Sequence, residues 1–199
     1  MPLSVFSDLA TITVGLATGP ITLVTLHSMA KPNRIFLIGP MGAGKTTIGK
    51  QLAKSLGMTF NDSDQEIQRR TGVDISTIFE YEGEEGFRQR EQQVIDELTQ
   101  VDSQVLATGG GAVLLAENRQ HLSARGIVFY LECSPTQQYE RTYRDRNRPL
   151  LQTEDPLQRL RALMELREPW YRETADYTVS TEGRGAAAVA HEILDILHG

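Results

Sequence analysis

"RIFLIGPMGAGKTTIGKQLAKSLG" (34–57) decides the fold. Its opening "RIFLIG" (34–39) is nearly continuous in apolar residues, the pattern of a strand covered on both sheet faces. From Lys45 onward Ile48, Leu52 and Leu56 recur at helical spacing, and Gly57 supplies a C-terminal stop. Between strand and helix, Gly39, Gly44, Lys45 and Thr46 satisfy G-x-x-x-x-G-K-[ST]. The glycines let the backbone bend, so that successive N–H groups through Gly42, Ala43 and Gly44 point inward as an anion nest. The helix presents its positive end, with Thr47 in its first turn, to the same point. Lys45 reaches the β- and γ-phosphates of a bound nucleotide, and the Thr46 hydroxyl ligates Mg²⁺. A chance match would lack the flanking strand and helix. The guanine-reading N-K-x-D pattern is absent from the chain, which favours ATP.

Working outward, short apolar runs alternate with longer amphipathic ones. Strands are predicted at 34–39, 58–62, 104–111, 126–133 and 176–181. Helices are predicted over 45–57, across the charged stretch 64–101 with interruptions near Gly72 and Gly83, and over 135–146, 157–175 and 185–197. This alternation predicts an α/β fold, a central five-stranded parallel sheet flanked by helices. Two prolines among charges in "RNRPLLQTEDP" (146–156) break the regularity and mark a lid segment around 144–156.

At 199 residues the chain is long enough for one well-buried core and short for two. A formal charge of -6 argues against general nucleic-acid or acidic-membrane binding. Cys133 is the one cysteine, which excludes an internal disulfide and suits a reducing cytoplasm; as a residue it reads as small, apolar and buried. "LATITVGLATGPITLVTL" (9–26) is uncharged, but its threonines, Gly15, Gly19 and Pro20 make a poor membrane span, and no basic region precedes it as in a signal peptide. Residues 1–28 are therefore expected to be a weakly ordered, non-functional extension before a single domain at 29–199.

Three further clusters carry chemistry. Asp62 and Asp64 stand at the end of the second strand, where ligands sit in open α/β sheets. If the strand extends that far they share a face, one helping to hold Mg²⁺ and one facing an acceptor hydroxyl; alternatively Ser63 or Asp64 caps the next helix. In "GEEGFRQRE" (83–91), Arg88 and Glu91 are helical neighbours, either a solvated ion pair or an arginine held ready for an anion. "ATGGGAV" (107–113) allows close approach of a ligand to the backbone, or simply ends a strand.

In this order the pieces resemble the shikimate kinase family: Gly39–Thr46, "DSD" (62–64), "GFR" with Glu91, "GGG" (109–111), "RPLL" (148–151) and "LREPWYRETAD" (166–176), covering the chain from Met29. The resemblance implies a P-loop NTPase fold and transfer of the ATP γ-phosphate to shikimate. It implies that Asp64 binds the ring hydroxyls and is the catalytic base, that Arg88, Gly110 and Arg167 complete the shikimate site, and that Phe79 and Phe87 shelter the ring. Asp62 would act on Mg²⁺ through water, which explains the lack of an aspartate at the end of "VLATGGG". Arg148 would close over the phosphates, and Arg141 and Arg184 would flank the adenine. The expected partners are small molecules, with no nucleic acid and no membrane, and the chain is expected to act as a monomer. Another small-molecule P-loop kinase, acting on gluconate or a nucleoside monophosphate, and a nucleotide-binding regulator are the alternatives.

Overall fold

A computed structural model of the chain describes residues 33–143, 151 and 153–199. The expectations for residues 1–28, and those for Arg148 and most of the lid, lie outside the described residues. The sheet is built from β1 (Arg34–Ile38), β2 (Thr59–Asp62), β3 (Gln104–Ala107), β4 (Ile127–Glu132) and β5 (Tyr177–Ser180). All pairings are parallel and the order is β2-β3-β1-β4-β5, as the alternation predicts.

The period of two along each strand divides the core between the two sheet faces. Ile35 and Leu37 of β1, Val105 of β3 and Phe129 and Leu131 of β4 pack with α1 (Lys45–Leu56) and α7 (Ala186–His198). Phe36, Ile38, Leu106, Val128 and Tyr130 face the other way. They meet α2 (Ser63–Thr71), α3 (Ile75–Leu98), α4 (Ala116–Arg125) and α6 (Pro156–Thr174). Burying each such aliphatic or aromatic side chain contributes roughly 1.5–3 kcal/mol. Because β1 and β4 are buried on both faces, their sequences read as unbroken apolar runs. The remaining helix, α5 (Pro135–Thr142), is capped by the Ser134 hydroxyl, which accepts from Gln137 N.

The charged stretch is interrupted where its glycines predict: it resolves into α2, ended by Gly72 in the left-handed region, and α3, whose helical geometry is interrupted at Gly83 with φ 71°. One element differs from the sequence reading. Residues 112–125, which periodicity leaves unassigned, form a 3-10 turn (Ala112–Leu114) and α4. The inner face of α4 buries Leu122 and a polar residue, Asn118, whose Nδ2 donates to Ala112 O at 2.9 Å, so no apolar stripe announces the helix.

Candidate active site

The loops that follow β1, β2 and β3 meet at the carboxyl ends of those strands. In the first, Gly42 and Gly44 adopt φ 78° and 89°, the left-handed backbone that a nest of N–H groups uses. Gly39 is fixed by space as well, since a Cβ there would stand 2.5 Å from Leu131 O. Lys45 Nζ donates to the carbonyls of Gly39 and Pro40 at 2.7 and 2.8 Å, which holds the ammonium over its own loop.

Asp62 joins this loop to the next. Its Oδ2 accepts from Thr46 Oγ1 at 2.8 Å, and its Oδ1 accepts from the backbone N–H of Asp64 and Gln65. The cap of α2 is therefore Asp62, not Ser63 or Asp64. The strand also stops at Asp62, so Asp64 lies in the first turn of α2 and the two carboxylates do not share a strand face. They diverge, Asp62 toward Thr46 and Asp64 toward the glycine run.

Packing explains that run. A Cβ on Gly109 would stand 2.6 Å from both Asp64 Oδ1 and Glu91 Oε1, and one on Gly111 would stand 2.6 Å from Arg88 Cζ. Gly110 in turn lies against the nucleotide loop, 3.4 Å from Met41 N to its hypothetical Cβ. Ser63 is fully buried between the two aspartates, and its hydroxyl accepts from Gly109 N at 2.9 Å, tying the second loop to the third. The sequence reading gave Ser63 no role beyond a cap.

Two guanidiniums close the pocket. Arg88 Nη1 donates to Glu91 Oε2 at 2.6 Å and Nη2 to Glu84 Oε1 at 2.9 Å. The Glu91 side chain is 0% exposed, so the pair is buried rather than solvated. Burial alone would lower Arg88, but the carboxylates of Glu91 and Glu84 outweigh it and its pKa rises. Burial lifts Glu91, against the pull of Arg88. Arg167, on α6, is 4% exposed and donates through Nη1 to Gly110 O at 3.4 Å. Burial, together with the neighbouring Arg88 charge, pulls it below the usual arginine value. Among the described residues it makes no ion pair, and its Nε is buried without a hydrogen bond. Tyr171, unnoticed in the sequence, steadies the same loop through its hydroxyl, which donates to Gly110 O. The Phe79 and Phe87 rings meet tilted by 36° with centroids 4.8 Å apart, Phe87 in the core and Phe79 packed against it.

Arg141 spans from the nucleotide loop to the β5–α7 loop, donating to Gly42 O at 3.0 Å, Thr181 O at 3.0 Å and Arg184 O at 3.4 Å. Arg184 folds onto Ser180 O, Ala188 O and the Glu192 carboxylate. Cys133 is buried directly after β4, as expected, and burial pushes its thiol up. Thus Lys45, Thr46, Asp62, Asp64, Arg88, Gly110 and Arg167 are gathered at one end of the sheet, while Arg141 and Arg184 stand to one side.

The chain matches the shikimate kinase family model over residues 41–198. It is 59% identical to the shikimate kinase of Methylococcus capsulatus over 167 residues, covering 84% of this chain and 93% of that one. With that of Pasteurella multocida it shares 58% over 175 residues, 86% of this chain and 100% of the other. The structure of shikimate kinase from Acinetobacter baumannii in complex with shikimate superimposes with a TM-score of 0.82 at 55% identity, covering 83% of this chain and 92% of that one. The converging loops, the buried arginine pair and these likenesses agree: the chain belongs to the shikimate kinase family.

Proposed function

We propose that the pocket binds shikimate beside ATP, and that the chain transfers the γ-phosphate to the 3-hydroxyl to give shikimate 3-phosphate and ADP. The observation that carries this reading is Arg167 of α6, a buried cation with no ion-paired carboxylate among the described residues, which lies near the Arg88 charge and donates to Gly110 in the loop that touches the nucleotide cradle. A small carboxylated polyol supplies the missing anion to Arg88 and Arg167 and places its hydroxyls near Asp64, which positions the attacking oxygen and accepts its proton. Gly42, Ala43, Gly44, Lys45, Thr46 and Thr47 hold the phosphates, Arg141 and Arg184 border the adenine, and Arg148 joins over the phosphates from the lid. With water kept out, transfer is favoured over hydrolysis of ATP.

Mg²⁺ fits the donors present: a hydroxyl and a carboxylate oxygen 2.8 Å apart, with the remaining ligands coming from water and phosphate as this ion prefers. When bound it neutralises charge on the transferring phosphoryl group. Asp62→Asn keeps a good helix cap while weakening the hold on the ion. The Mg²⁺ concentration giving half-maximal rate should rise roughly tenfold or more, as read by an Mg²⁺ titration of initial rates; an unchanged titration removes Asp62 from this role.

The reading is tested by ADP release with shikimate, gluconate and AMP as acceptors. Turnover with shikimate alone is expected, and a preference for gluconate or AMP assigns the site to another small-molecule kinase. The same assay on a chain starting at Met29 should give the full-length rate, the family match lying wholly within residues 41–198. We place the enzyme in the cytoplasm as a monomer, which light scattering of the active sample checks. The lone buried Cys133 supports a reducing compartment. Among the described residues no helix is long and apolar enough to cross a membrane.

A further inference from the structure

Arg88 is held by two carboxylates of different standing. The Glu91 side chain is fully buried, whereas that of Glu84 is 54% exposed. Moving Glu91 would mean opening the core around α3. Glu84, by contrast, follows Gly83, where the helix is interrupted at φ 71°, and nothing lies within 4 Å of where a Gly83 Cβ would stand. The interruption itself is braced by Arg90, which donates to both carboxylate oxygens of Glu82 at 2.7 and 2.8 Å. Glu84 is outside that brace and has solvent to turn into.

The remaining donors of Arg88 point to what replaces it. Its Nε is buried and makes no hydrogen bond. In a planar guanidinium the Nε and Nη2 hydrogens form one parallel edge, which matches the two oxygens of a carboxylate. Glu91 takes Nη1, leaving that edge for a second carboxylate, and Glu84 fills only its Nη2 half.

We propose that Glu84 is an internal competitor for the substrate carboxylate. It compensates the Arg88 charge between turnovers and swings away at Gly83 when the ligand carboxylate takes the full Nε/Nη2 edge. This rests on the reading of Arg88 as a carboxylate-binding group. The apparent affinity for shikimate is then reduced in proportion to the fraction of time Glu84 occupies the edge. A neutral ligand cannot replace the charge that Glu84 withdraws, so the contact also selects for an anion.

Glu84→Gln tests this, because it keeps the shape and removes the charge. KM for shikimate should fall about two- to five-fold, the range expected for loss of a half-exposed ion pair. KM for ATP should stay at the wild-type value, and calorimetric titration of shikimate should show the same fold gain. If Glu84 instead orients Arg88 for binding, the shikimate KM rises. An unchanged or raised KM in the variant, with normal wild-type turnover, overturns the competitor alone. Absence of shikimate-dependent turnover in the wild type overturns the functional reading with it.

Discussion

Asp64→Asn lowers kcat by about 10²–10⁴-fold, the usual share of a general base, while the affinity for ATP stays near that of the wild type. Asparagine is nearly the same shape and still accepts a hydrogen bond, but it cannot take up a proton from the attacking hydroxyl. The substitution leaves the local fold in place, because α2 is capped by Asp62 and not by Asp64. Aspartate is also well placed electrostatically, in the first turn of α2 where the helix end favours negative charge. Nucleotide binding is not engaged, since Asp64 stands against Gly109 and the phosphate nest is formed by residues 39–47. Single-turnover kinetics with saturating ATP and shikimate read the chemical step directly. A fall of less than about tenfold assigns Asp64 to positioning and leaves proton acceptance to solvent or phosphate.

Arg88→Ala has two separable effects. Its loss leaves Glu91 buried with no hydrogen-bonded counter-charge, which destabilises the fold by about 3–5 kcal/mol, seen as a lower urea midpoint. On the proposed role of Arg88 it also removes a charged hydrogen bond to the ligand carboxylate, so shikimate binding should weaken by about 1.5–3 kcal/mol, with ATP affected less. Pairing Arg88→Ala with Glu91→Gln separates them. The double variant should recover stability, because the uncompensated charge is gone, and should not recover shikimate affinity. Recovery of both would place the role of Arg88 in folding alone.

A pH dependence follows from Glu91. Burial raises its pKa above the ordinary 4.5, so the folded protein holds this proton more tightly than the unfolded chain. The resulting stabilisation is present below the unfolded value and is lost as pH rises through the folded one. In Arg88→Ala the opposing attraction is absent and the folded pKa climbs further. The stability gap between variant and wild type should therefore widen as pH rises above the ordinary carboxylate value of 4.5. A constant gap would mean that Glu91 gains another partner when Arg88 is removed.

The nucleotide loop was legible because it is local: a strand, a turn of glycines and a helix N-terminus form a phosphate site from consecutive residues. β1 and β4 were legible because burial on both faces leaves unbroken apolar runs, whereas β2 and β5, partly exposed at the sheet edges, carry no such run and were legible from the alternation of short strands with longer helices. The helix at Ala116–Arg125 was not, because Asn118 occupies a buried position and is satisfied by Ala112 O, a partner that periodicity cannot show. The shared strand face suggested for Asp62 and Asp64 failed for a similar reason. Asp62 captures the N–H groups of Asp64 and Gln65 and starts the helix one residue after the strand.

The sequence by itself determined the fold class, the phosphate cradle and, through ordered motifs, the family. Their physical basis is covalent neighbourhood, since each motif acts through residues within one loop or one helical turn. Only the tertiary structure decided that Arg88 is paired in the core and not in solvent, that Ser63 pins the glycine run, and that Arg167 reaches Gly110 across 57 residues of chain. Those outcomes depend on which side chains are withdrawn from water together. That is a property of the packed sheet and helices, and no single stretch of the chain encodes it.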